Sequence, residues 1–355
     1  MKEFWSSRIR NLTPYTPGEQ PKERKFIKLN TNENPYPPSP EVTRAVTAAV
    51  DDRLKLYPDP DSSRLVAALA RRYGVKESQV FVGNGSDEVL AFAYQAFFEP
   101  GGTILFPDIT YSFYPVFADM NGVGYRTVPL REDFTLPVEQ MLGNNDGVVV
   151  CNPTAPTGVE LSQAELRRIL EGNPDVVVIV DEAYIDFGGT SALPLLDEYP
   201  NLLVVQTMSK SRALAGMRVG FAFGIENLIQ ALNCTKNSIN SYTMDQLAIV
   251  AGAAAVEDDA YFRKRCAQVA ETRDKTAERL RERGFTVLPS KSNFLFITHA
   301  RVPAAKLFGA LRERGILVRY FNLPRIDNYL RVTIGSEEDM ETFCNTITEL
   351  VERLQ

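Results

Sequence analysis

Histidine is nearly missing from this chain: there is one, His299, among 355 residues. That excludes a His-cluster metal site and argues against a His-dependent nucleophilic triad. His299 follows the apolar run FLFIT and reads as a strand-end residue. Cysteine is scarce too. Cys151, Cys234, Cys266 and Cys344 are scattered with no CxxC pair, which reads as free thiols in a reducing cytoplasm. No apolar run reaches the roughly 18 residues needed to span a bilayer. The longest, around Ala248 to Val256, is Ala-rich and ends in Glu257-Asp258-Asp259. The first residues, MKEFWSSRIRNLTPYTPGEQ, lack the apolar core of a signal peptide. Basic excess is absent as well: the net charge is -6, with no strong basic block. That argues against a nucleic-acid or anionic-membrane partner and leaves a local basic pocket open. If the chain is an enzyme, a group other than histidine must move protons, and lysine is the obvious candidate.

What is present is a patterned chain long enough for about two domains. Short β-branched runs alternate with helical patterns through its middle. VFV precedes DEVLAFAYQAFF, and TILF follows. GVVVCNP precedes SQAELRRILEG, whose Ser162 and Glu165 have capping-box spacing. DVVVIVDEAY, NLLVVQT and RVGFAFG come next. Continuous apolar runs between helices predict an α/β fold with a mostly parallel sheet covered on both faces. A charged helical segment then runs from about Asp258 to Arg283, followed by four short strand-like runs and two helices. The expected organisation is an N-terminal arm over 1–29, a large domain over 30–255 and a smaller α+β domain over 256–355.

In such sheets ligands bind beyond the carboxyl ends of the strands. Five successive strands end in polar or aromatic groups: GNGSDE, PDITYSFY, CNPTAPTG, DEAY and TMSK. Lys210, in TMSKSRALAGMRVGF, sits between a buried strand and an expected small-residue helix at ALAG. It is either a surface lysine or a desolvated one able to form a Schiff base. Asp181 ends a fully apolar strand and needs a cationic partner if it is not a cap or structural ion pair. A protonated pyridine nitrogen would serve, as in pyridoxal phosphate, which pairs a lysine Schiff base with an Asp. Tyr184 could reach the same ring, and Asn152 offers an amide to its phenolic oxygen. Gly83-Asn84-Gly85-Ser86-Asp87 opens a helix and would favour an anion, or is simply a helix cap. It matches neither a dinucleotide fingerprint nor a Walker loop. Thr207, Ser209 and Arg218 could add hydroxyls and a cation to one phosphate.

Taken in order, LNTNENPYPP, GNGSDE, TYSFY, CNPTAPTG, DEAYIDF, TMSKSRALAGMRVGF and YLRVTIG resemble the fold-type I pyridoxal-phosphate aminotransferases. The resemblance is strongest to the histidinol-phosphate aminotransferases and covers about Leu12 to Gly335. It implies a cytoplasmic homodimer that binds pyridoxal 5'-phosphate and moves an amino group from histidinol phosphate to 2-oxoglutarate. It implies that Lys210 is the Schiff-base lysine, that Asp181 pairs with the ring nitrogen, and that Asn152 and Tyr184 bond the ring hydroxyl. Tyr111 would stack on the ring. Ser86, Asp87, Thr207, Ser209 and Arg218 would hold the phosphate, joined by Tyr57 from the partner subunit. Arg331 would clamp an α-carboxylate. Tyr15, Asn34 and Arg319 match substrate positions, although Arg319 reads equally as a solvated strand-edge residue. Two features depart from the family pattern: CNPTAPTG where CNPNNPTG is usual, and Arg212 where an aromatic usually follows the lysine. Arg212 would place an extra charge near the site. The rival readings are an aromatic or broad-specificity aminotransferase, a phosphothreonine decarboxylase, and a cofactor-binding regulator. No metal is implied.

Overall fold

The apolar runs become strands in the computed structural model, which describes residues 4–21 and 25–354. In chain order they are β1 (Ile27–Lys28), β2 (Val80–Gly83), β3 (Thr103–Pro107), β4 (Gly124–Val128), β5 (Val148–Cys151), β6 (Val178–Asp181), β7 (Leu202–Thr207) and β8 (Gly220–Phe223). After them come β9 (Phe285–Val287), β10 (Phe294–His299), β11 (Ile316–Leu317), β12 (Arg319–Tyr320) and β13 (Leu330–Thr333). A seven-stranded sheet has the order β2-β8-β7-β6-β5-β3-β4. Its pairs are parallel except those of β8, which runs antiparallel to both β2 and β7.

Alternate residues of the central strands bury on opposite faces. Val149, Ile179, Leu203 and Val205 enter one apolar core, while Val148, Val150, Val178 and Val204 enter the other. Two buried faces explain why these strands read as unbroken apolar runs instead of alternating ones. The helix Gln163–Glu171 starts with the expected capping box between Ser162 and Glu165.

The stretch after Lys210 differs from expectation. ALAG forms no α-helix; only a 3-10 turn, Ala215–Met217, lies there. A parallel neighbour needs a crossover of about a dozen residues or more, usually helical. The connection here holds no α-helix, and the chain doubles back so that β8 runs antiparallel to β7. Gly220 is required where β8 passes the start of the helix Ser86–Phe97, since a Cβ would collide with the Gly85 and Ser86 backbone.

Beyond the helix Gln246–Glu257, the long helix Asp259–Glu282 leads to an antiparallel sheet of order β12-β13-β10-β9. The helices Ala304–Glu313 and Glu337–Leu354 belong to this part of the chain. The N-terminal segment joins it: β1 pairs in parallel with β11, and the Thr333 N–H donates to the Leu29 carbonyl. Residues 1–3 and 22–24 of the expected arm lie outside the described residues. Among the described residues, no helix is long and apolar enough to cross a membrane.

Candidate active site

The carboxyl ends of β2, β3, β6 and β7 face one cavity of about 360 Å³. Asp181 is the last residue of β6 and is buried. The Tyr114 hydroxyl donates to its Oδ2 at 2.9 Å, and the Ala183 N–H to its Oδ1 at 3.2 Å. Neither partner is a cation, so burial raises its pKa to about 6. Lys210 follows β7 and lines the same cavity, its Nζ donating to the Thr31 carbonyl at 3.3 Å. Burial, reinforced by the positive charge of Arg331, lowers it to about 8. The site thus brings an amine that gives up its proton easily into one cavity with a carboxylate lacking a counter-ion.

One end of the cavity is an anion cup. Ser86 and Asp87 begin the helix Ser86–Phe97, whose free N–H groups and dipole favour an anion. Thr207 and Ser209 are buried on the facing turn, with the Thr207 hydroxyl donating to Ser209 Oγ at 2.9 Å. Arg218 closes the cup. Gly85 has φ of +84°, and a Cβ there would occupy the place of the Arg218 guanidinium. The Asp87 carboxylate does not point its charge at the cup unopposed: it accepts from the Tyr111 hydroxyl at 2.9 Å and pairs with Arg218 at 3.3 Å. An incoming anion can therefore meet Asp87 through its backbone N–H, while its side chain holds Tyr111 and Arg218.

At the other end, Arg319 of β12 and Arg331 of β13 stand directly opposite each other in the antiparallel register, and both line the cavity. Like charges placed across a strand pair repel. Arg331 Nη2 donates to the Asn30 carbonyl at 2.9 Å, but its buried Nε has no partner, and neither does Asn30 Oδ1. Burial lowers the Arg331 pKa, and the Arg319 charge adds to that effect. Arg319 donates to the Thr16 carbonyl at 3.4 Å. Tyr15 lies on the same wall, stacked on Phe113 at 4.6 Å and 6.0 Å from Tyr111.

Of the residues expected in the site, Tyr15, Ser86, Asp87, Tyr111, Asp181, Tyr184, Thr207, Ser209, Lys210, Arg218, Arg319 and Arg331 line the cavity. Three do not. Asn152 is fully buried, and its Oδ1 accepts from the Leu161 N–H at 2.8 Å, so its amide serves the loop after β5. Asn34 donates to the Lys210 and Ser211 carbonyls at 3.0 and 3.2 Å, bracing the turn from outside the cavity. Tyr57 is exposed and stacks on Tyr242 at 4.6 Å. Arg212 also departs from expectation: its guanidinium is buried away from the cavity, against Phe262.

Asn32 is the amide that sequence reasoning missed. Its Nδ2 donates to the Tyr184 oxygen at 3.0 Å, while Thr333 donates to its Oδ1 at 2.9 Å. Burial pushes the Tyr184 phenol up to about 12. The motif LNTNENP contains Asn30, Asn32 and Asn34, and pattern alone does not say which meets Tyr184. Asn32 has a left-handed backbone, φ +57°, which a sequence pattern does not announce.

The family described as aminotransferase class I and II matches residues 24–347. A histidinol-phosphate aminotransferase from Clostridium acetobutylicum is 51% identical over 351 residues, covering 99% of this chain and 100% of its own. The crystal structure of histidinol-phosphate aminotransferase from Sinorhizobium meliloti, in complex with pyridoxal-5'-phosphate, has a TM-score of 0.90. It is 23% identical and covers 100% of this chain and 99% of that one. L-threonine-O-3-phosphate decarboxylase from Porphyromonas gingivalis has a TM-score of 0.80 at 22% identity, covering 92% of this chain and 100% of that one. The two structural likenesses are likenesses of fold, and that fold hosts more than one reaction.

Proposed function

Because this chain belongs to the aminotransferase class I and II family, we propose that it transfers the amino group of histidinol phosphate to 2-oxoglutarate, with pyridoxal 5'-phosphate as cofactor. The cofactor fits on three grounds: a buried carboxylate without a counter-ion at Asp181, a reactive amine at Lys210, and a preformed anion cup at Gly85 to Asp87 with Arg218. When bound, pyridoxal phosphate supplies an aldehyde for a lysine amine and a ring that withdraws electrons from an attached amine.

The residues of this chain do the rest. Lys210 would hold the cofactor covalently, and its free amine, once released, would take and return a proton at Nζ beside the substrate. Asp181 keeps the ring nitrogen protonated, and Tyr114 keeps Asp181 in place. Tyr184, tied to Asn32, donates to the ring oxygen. Tyr111, held by Asp87, would pack against the ring. Ser86, Asp87, Thr207, Ser209 and Arg218 hold the cofactor phosphate.

The observation that carries substrate choice is the Arg319–Arg331 pair. Two cations face each other across neighbouring strands on the cavity wall, an arrangement that an anionic substrate group relieves. Arg331 takes the α-carboxylate of glutamate or 2-oxoglutarate, and Arg319 with Tyr15 takes the phosphate of histidinol phosphate. A guanidinium binds either anion bidentately. An aromatic amino acid is the second reading, favoured by the wall of Tyr15, Phe113 and Tyr111.

The enzyme works as a homodimer in the cytoplasm. Tyr57, exposed beside Tyr242, reaches the cofactor phosphate of a second subunit, and the free cysteines suit a reducing compartment. Its units are an arm over 1–29, a large domain over 30–255 and a small one over 256–355. Purified protein given histidinol phosphate and 2-oxoglutarate should form glutamate at a rate set by enzyme concentration; no glutamate above the enzyme-free control would refute the proposal.

A further inference from the structure

Arg212 stands two positions after Lys210, yet the residue is only 5% exposed and does not line the cavity. Nη1 donates to the Ala255 carbonyl at 2.5 Å, and the guanidinium lies 3.9 Å from the Phe262 ring centre. Ala255 is in the last turn of the helix Gln246–Glu257, and Phe262 is in the first turn of Asp259–Glu282. One side chain therefore spans the junction between two long helices. The carbonyls at a helix C-terminus have no partners within the helix and carry the negative end of its dipole. A ring face attracts a cation as well. Even with the Tyr73 side chain beside the guanidinium, Arg212 Nη2 is buried without a hydrogen-bond partner. Burying a charge in this way is costlier than burying an apolar side chain of similar volume, so a filler role does not explain the residue.

The turn that carries Lys210 is held at other points too. The Ser211 hydroxyl donates to Asp186 Oδ2 at 2.6 Å, and Asn34 donates to the Lys210 and Ser211 carbonyls. Arg212 adds a tether on the side of the helix junction. Ala213, next in the chain, sits at φ +55°, a backbone conformation that a non-glycine residue holds only when its surroundings fix it.

We propose that Arg212 is a positioning residue for Lys210: it anchors the 208–214 turn to the junction of the two helices and so fixes where the amine enters the cavity. This deepens the proposed function, since it rests on Lys210 being the reactive amine. Its first readout does not need the cofactor. In cofactor-free protein, Arg212→Met should speed amide exchange across 208–214 by about tenfold or more, with exchange in β5 and β6 unchanged. In the loaded enzyme kcat should fall by about tenfold or more while KM moves less than about twofold. Arg212→Lys, which keeps a charge and a donor, should fall between wild type and Met on both measures. Wild-type exchange and kcat in Arg212→Met would overturn the proposal. So would faster exchange everywhere with unchanged kcat, the mark of a merely structural residue. Should Arg212→Met fail to fold, Phe262→Leu removes the ring beneath the guanidinium with little change in volume, and the same two readouts decide. A wild-type enzyme inactive on histidinol phosphate would sink the proposed function while leaving the exchange result standing.

Discussion

The Tyr114 hydroxyl donates to Asp181 Oδ2 at 2.9 Å, inside a core where both residues are buried. A neutral hydroxyl orients the carboxylate but cannot balance its charge, and burial raises Asp181 to about 6. In cofactor-free protein the folded chain keeps this proton where the unfolded chain has lost it. The group therefore stabilises the fold at about pH 4 and below, and that contribution is lost as the pH rises through about 6. A bound pyridinium cation reverses the preference. The difference in Tm between loaded and cofactor-free protein should widen as the pH rises from about 4 to 6 and then level off. Asp181→Asn should flatten that pH dependence and slow turnover by roughly a hundredfold or more. Near-normal turnover in the variant would mean that Asp181 does not partner the ring.

Lys210 shifts the other way. Burial lowers it to about 8, so its amine is largely neutral at a pH where an exposed lysine is not. The rate at which cofactor-free protein captures pyridoxal phosphate should rise with pH and level off above about 8. Reduction with borohydride should then fix the cofactor on Lys210, and Lys210→Ala should abolish both the adduct and turnover. An inflection above about 10, or an adduct mapped to another lysine, contradicts the assignment.

Much of this site is legible in the sequence because it sits at strand ends. An apolar run followed at once by Asp181, or by Thr207, Ser209 and Lys210, says that these groups project from a sheet edge. The amides are another matter. Asn32, Asn34 and Asn152 look interchangeable as letters, yet one meets Tyr184, one braces the Lys210 turn and one closes a loop. The difference lies in backbone conformation and in which strand passes behind each residue. The direction of β8 was hidden for a similar reason: ALAG has helix-forming residues, but the return of the chain to β7 leaves space only for a 3-10 turn. Arg212 misleads most, since proximity along the chain to Lys210 does not place it in the cavity.

Arg319 faces Arg331 across β12 and β13 and has a backbone carbonyl, Thr16, as its hydrogen-bond partner. Arg319→Lys should raise the KM for histidinol phosphate by roughly tenfold or more, because losing a bidentate contact to a charged group costs about 1.5–3 kcal/mol. The half-reaction with glutamate should change less, as Arg331 would still be there to meet the α-carboxylate. Equal losses on phosphorylated and unphosphorylated amines would assign Arg319 a structural task instead.

Tyr57 is 82% exposed and packs on Tyr242 beside the anion cup's outer wall, where Asn84 donates to the Thr243 carbonyl. Light scattering should give twice the chain mass of 39.7 kDa. Tyr57→Phe should weaken cofactor binding without dissociating the dimer. A fully active monomer in dilute solution is the outcome that rules out a shared site.

Initial rates on histidinol phosphate, phenylalanine and phosphothreonine, measured side by side on one preparation, test substrate and reaction together. The Arg319–Arg331 wall and the Lys210–Asp181 pair lead to a kcat/KM for histidinol phosphate above that for phenylalanine by roughly a hundredfold or more, with no carbon dioxide released from phosphothreonine. Phenylalanine turned over as well as histidinol phosphate, or phosphothreonine decarboxylated, would contradict it.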